Sequence, residues 1–202
     1  LKNHGEERIR AVLRDAGESL HAWASMNASV PPIHSHVQES LLAQIQVAYA
    51  ATVRASVRRE GEWTQLSYSH HIGYGARRLA VMALSKAVDE FAGHCKILAA
   101  TPRYAEAADL IAQAERVLKG AYEDLLRKVQ LMGQTVFKDA LKSDSNFWLT
   151  CMDEWGQGPG YKTRVAGHNR EWFNGEARRK LEEELKVLIE REWIRALRSV
   201  TE

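Results

Sequence analysis

Apolar residues recur at steps of three and four along most of this chain, the period that places side chains on one face of an α-helix. Ile9, Leu13, Ala16, Leu20 and Trp23 mark a first helix from about Glu6 to Met26. Val30-Pro31-Pro32 ends it, because proline lacks a backbone donor and pushes the residue before it out of the α region. A second helix starts close behind, with Leu42, Ile45, Tyr49 and Val53 as its buried stripe, and runs through Arg58-Arg59 to Gly61. Glu62 to Tyr68 reads as a packed connection or a short extended stretch, with no strand assigned. Beyond the punctuation of Gly73-Tyr74-Gly75, a third helix carries Val81, Leu84, Val88, Phe91, Cys95 and Leu98. Thr101-Pro102 closes it and opens the next, with Thr101 as the expected cap.

The fourth helix has the strongest pattern. Tyr104, Ile111, Leu118, Leu125 and Met132 stand seven residues apart, and Tyr122, Val129 and Val136 form a companion row. A heptad seam of this kind predicts antiparallel, coiled-coil-like packing. Phe147, Trp148, Cys151, Met152 and Trp155 form a short aromatic helix that the glycine-rich stretch from Gly156 to Gly160 terminates. After a short segment from Tyr161 to Phe173, a last helix carries Leu181, Leu185, Leu188, Trp193, Leu197 and Val200 on one face. The fold class is therefore all-α: an elongated antiparallel bundle of about five long amphipathic helices plus short ones. Residues 1–202 read as a single helical-bundle domain with an irregular aromatic and glycine-rich subregion at 145–175.

Composition narrows the classes without selecting a function. With 45% hydrophobic residues the chain can bury a continuous core, so folding needs no metal or disulfide staple. Lys+Arg at 28 against Asp+Glu at 26 leaves +2, which gives no general argument for nucleic acid or anionic lipid. No apolar run approaches the roughly 20 residues of a membrane helix. Cys95 and Cys151 fall within helical apolar patterns, as small buried hydrophobes do, and suit a reducing, cytoplasmic setting. Residue 1 is Leu and not Met, so a trimmed product, an expressed segment and a piece of something larger, such as its stalk-like part, are all open readings of the chain.

Several constellations invite chemistry. His34, His36, His70 and His71 supply four imidazoles for a transition metal, but neither pair shares a helix face, so a site needs irregular backbone at both places. Hydrogen-bonded or solvent-facing histidines are the simpler reading. Glu18 and His21 have the E-x-x-H spacing of carboxylate-bridged di-iron bundles, yet no second copy exists, and Glu90 and His94 are one residue too far apart to replace it. Gly156, Gly158 and Gly160 before Lys162 suggest a phosphate-cradling loop, but no strand precedes it and the spacing matches no phosphate-binding motif. The Arg14–His21 and Arg164–His168 spacings resemble those of helical ribonucleases of the HEPN type, without that family's polar residue directly after the arginine. No serine or cysteine stands in a recognisable nucleophile context.

Basic clusters at Arg54/Arg58/Arg59, Arg77/Arg78, Arg127/Lys128 and Arg178/Arg179/Lys180 leave open a nucleic-acid-binding edge. The aromatic subregion offers Trp148, Trp155, Tyr161, Arg164, Trp172 and Phe173, residue types that dominate binding hot spots and equally form small cores. We expect a non-enzymatic interaction, scaffolding or regulatory module without a cofactor, engaging protein partners or a second copy of itself through this subregion. A helical nucleic-acid-binding or nucleic-acid-processing subunit and a metal-binding helical enzyme are the alternatives.

Overall fold

A computed structural model describes residues 2–33, 35–142, 144–153 and 158–201. Eight α-helices run through them: α1 (Lys2–Met26), α2 (Glu39–Val47), α3 (Ala50–Val57), α4 (Tyr68–Ala100), α5 (Ala108–Lys142), α6 (Ser145–Asp153), α7 (Tyr161–Asn174) and α8 (Glu176–Thr201). A 3₁₀ turn at Pro102–Ala107 and two short strands, β1 (Glu62–Trp63) and β2 (Leu66–Ser67), complete the order. The all-α class that the periodicity predicts is the class observed. No helix among the described residues is long and apolar enough to cross a membrane.

Four local departures from the sequence pattern have physical causes. The second helix is not continuous: Ala48 and Tyr49 turn to extended backbone, at ψ 152° and ψ 147°, and split it into α2 and α3. The Lys162 ammonium, reaching over from α7, donates to the carbonyls of Gln46 and Ala48 at 2.8 Å each. It thereby satisfies acceptors that the end of α2 leaves open, and places a cation at the negative end of that helix. The stretch after Gly61 is a minimal antiparallel hairpin, with Glu62 opposite Ser67 and Trp63 opposite Leu66. Glu60 at φ 52° and Gly61 at φ 78° close the turn that follows α3, their amides donating to the Val57 and Ser56 carbonyls, while the Gly61 carbonyl accepts from the Tyr68 amide.

Helix α4 begins at Tyr68 and passes straight through Gly73-Tyr74-Gly75, which do not punctuate it. These glycines admit neighbouring backbone instead. A methyl group at Gly75 would be driven into the Val37 carbonyl oxygen, and one at Gly73 would lie 2.7 Å from the carbonyl oxygen of Gln130. At the other end, the Thr101 hydroxyl donates back to the Ile97 carbonyl at 2.8 Å and does not cap the following turn.

The chain forms two compact units. The first comprises Leu1–Pro32, Val81–Leu126 and Ile189–Glu202. Its core gathers Ala16, Leu20, Leu84, Ile111, Leu118 and Leu125, with Trp23 packed on Phe91 at 4.7 Å between ring centroids. Arg8–Glu106 and Arg103–Asp15 ion pairs join α1 to the 3₁₀ turn, and the buried Trp193 indole donates to the Asn27 carbonyl. The second unit comprises Ile33–Ala80 and Arg127–Leu188. Val37, Leu41, Ile45, Val53, Leu66, Ile72, Phe137, Val165 and Leu181 fill its centre.

Helix α5 serves both cores with two different rows. The heptad positions Ile111, Leu118 and Leu125 are buried, but from Leu126 onward burial follows Val129, Gly133, Phe137 and Leu141, while Met132 and Val136 are only half-buried. A straight helix drifts by about 20° per heptad relative to a strict seven-residue repeat, which brings a new row inward after a few turns.

Candidate interaction surface

The described aromatic side chains of the subregion are mostly interior to the second unit. Phe173 is fully buried, stacked on Phe137 at 5.6 Å with rings nearly parallel. Trp148 is buried against Tyr68 and Phe147, at 5.2 and 4.7 Å. Tyr161 is buried beneath Arg54, whose guanidinium carbon stands 5.0 Å from the ring centroid. Expected as a surface, these three side chains form a core, since each ring gains more from its neighbours' faces than from water. Trp172 is half-buried and donates its indole N–H to Asp144 at 2.8 Å. Arg164 is half-buried and donates to the Pro159 carbonyl at 2.8 Å. Trp155 lies outside the described residues, as do Gly156 and His34.

His36, His70, His71, His94 and His168 are drawn into pairwise contacts. His36 Nδ1 lies 3.0 Å from a Glu182 carboxylate oxygen, and Arg178 Nε lies 3.6 Å from the other. The His70 and His71 rings meet edge-on at 5.7 Å, and burial, then the neighbouring His70, lower the His71 pKa. Among the described residues no three His, Cys, Asp or Glu side chains converge on a position suited to a metal. His21 and Glu18 are both exposed on α1, and Glu90 sits 3.6 Å from Lys86. His168 stacks on Phe147 at 4.9 Å. Lys162, the cation after the glycine-rich stretch, is already engaged with the Gln46 and Ala48 carbonyls.

Potential nucleophiles are similarly constrained. Burial pushes the Cys151 thiol up to about 12. Burial and then Glu115 push Cys95 up to about 11, against the opposing pull of Lys119. Neither carries appreciable thiolate at neutral pH. The Ser19 hydroxyl lies 3.2 Å from His94 Nε2, within nucleophile-to-base reach. Both residues sit in the interior of long helices, however, where backbone amides are committed to carbonyls one turn back.

In the second unit, one segment combines exposed apolar side chains with a run free of acidic residues. Tyr49, expected in a buried stripe, is 84% exposed because the helix breaks beneath it, and Val47 on the other side of the break is 74% exposed. From Ser40 to Arg59 there is no acidic residue, while Arg54, Arg58 and Arg59 stand within two turns of one another. Elsewhere cations sit beside carboxylates, as in Arg8–Glu106, Lys138–Glu62 and Arg178–Glu182. Among the described residues no carboxylate pairs with Arg54, Arg58 or Arg59. Arg59 lies over the half-buried Trp63 ring at 5.2 Å. Arg54 and Arg58 both oppose the rise that burial and Cys151 produce in the Tyr161 pKa. The acid-free run was readable in the sequence; the exposure of Val47 and Tyr49 was not.

No known protein family, curated protein or solved structure matches the chain.

Proposed function

We propose that this chain is a non-enzymatic interaction module that docks a partner protein through the segment from Val47 to Trp63. The observation that carries this reading is the pinned break between α2 and α3, which holds two large apolar side chains out in solvent. Isolated exposed apolar residues are ordinary. Here, though, Val47 and Tyr49 project from a backbone corner that Lys162 fixes by two hydrogen bonds, with Arg58, Arg59 and Trp63 close by in sequence. Tyr, Trp and Arg are the types that dominate binding hot spots. Burying one side chain of this kind contributes about 1.5–3 kcal/mol, and a pinned backbone loses little further entropy on binding.

The test is photo-crosslinking from position 51 of the full chain in cells. Discrete crosslinked species that vanish with Val47→Ser/Tyr49→Ser, at unchanged thermal stability, support the reading. Crosslinks indifferent to those substitutions, or none, overturn it.

A further inference from the structure

Arg54 in α3, with Arg58 and Arg59 just beyond its end, narrows the kind of partner that suits this corner. Arg54 in α3 and Arg58 at its end, four residues apart, stand on the flank of Tyr161, whereas Arg59, in the turn beyond α3 and donating to the Ala55 carbonyl at 3.1 Å, occupies the flank towards the hairpin. Between the flanks lie Ala51, exposed, and Ala55, half-buried, whose small side chains leave room for an approaching chain. Glu60, the nearest acidic residue in sequence, is exposed and forms no ion pair with them. Arg54 and Arg58, like charges four residues apart, repel each other, Arg59 adds a third cation next in sequence, and carboxylates supplied from outside relieve that repulsion.

We infer that the partner presents an acidic peptide segment in which carboxylates, meeting Arg54, Arg58 and Arg59, are interspersed with apolar side chains that meet Val47 and Tyr49. The inference rests on the docking reading above. A nucleic acid fits less well. Affinity for nucleic acid comes largely from neutralising many phosphates, whereas this face offers three arginines and the whole chain carries only +2. The aliphatic Val47 beside Tyr49 also has no counterpart in a phosphate backbone.

The experiment is fluorescence anisotropy of the full chain with three labelled probes: a peptide of interspersed Asp, Glu and Leu, its Asn/Gln counterpart, and a thymidine oligonucleotide. The acidic peptide is expected to bind about tenfold more tightly than its neutral counterpart at low ionic strength, with the difference shrinking as salt is added. Arg58→Gln/Arg59→Gln is expected to abolish that difference. Both arginines are exposed, so the variant keeps its fold, which circular dichroism verifies. Equal binding of the two peptides, lost on Val47→Ser/Tyr49→Ser, would sink the acidic partner and leave the docking corner standing. Failure of both peptides removes the docking corner as well. Binding of the oligonucleotide in preference, weakened by the arginine substitutions, replaces the inference with a nucleic-acid partner.

Discussion

One methyl group decides whether the segment around Val37 can lie against α4. At Gly75 a Cβ would collide with the Val37 carbonyl, whereas at Gly93, on the same helix, nothing lies within 4 Å of that position. The same substitution should therefore have opposite signs. Gly75→Ala is expected to destabilise by about 1–3 kcal/mol through overpacking. Gly93→Ala should stabilise by about 0.5–1 kcal/mol, because alanine loses less backbone freedom than glycine on entering a helix. Urea unfolding of the two variants beside the parent checks both, and a shared sign would refute the close-approach argument. Sequence could not separate these roles: a glycine that ends a helix and one that admits a neighbour's backbone look alike until the neighbour is placed. Read as punctuation, Gly73 and Gly75 delayed the expected start of α4, although Tyr68 already begins it.

Among the elements, α2 and α3 show how a single cation shapes a surface. Removing the Lys162 ammonium with Lys162→Met strands two carbonyls, and bonds to charged donors contribute about 1.5–3 kcal/mol. The expected result is lower stability together with faster hydrogen exchange around residues 46–53, leaving exchange in α1 unaltered. Helices α1, α5 and α8 were legible because each pairs a long apolar stripe with a charged face, a pattern that survives any detail of packing. The break at Ala48 was not, since no proline or glycine marks it and the hydrogen bonds around it come from a lysine 114 residues further on. The aromatic subregion was ambiguous in a different way. Trp148, Tyr161 and Phe173 have the residue types of a hot spot and of a core alike, and only the presence of Phe137, Tyr68 and Arg54 beside them decides for the core. Tyr49 is the mirror case, a good core residue left in solvent by the backbone.

For the molecule as a whole, the buried titratable groups frame a window of pH. Cys95 and Cys151 hold their protons in the folded state up to about 11 and about 12, against an ordinary thiol value of 9.0. Their contribution is thus fully present below about 9 and is lost as pH rises through the folded-state values, because the unfolded chain ionises first. Burial raises Tyr68 and Tyr161 as well, so the alkaline decline steepens above their ordinary 10.0. On the acid side, His71 is lowered from 6.5, so its contribution is present above that value and is lost as pH falls below it. Thermal melts across pH should show a plateau between about 6.5 and 9. His71→Gln should flatten the acid arm, and Cys151→Ala should soften the alkaline one; arms unaltered by both would refute these assignments. The thiols have one more use. Cys95 belongs to the first unit and Cys151 to the second, and each is shielded for as long as its own unit stays shut. A thiol reagent in excess therefore becomes a pair of clocks, the labelling rate at each cysteine counting how often that half of the molecule breathes.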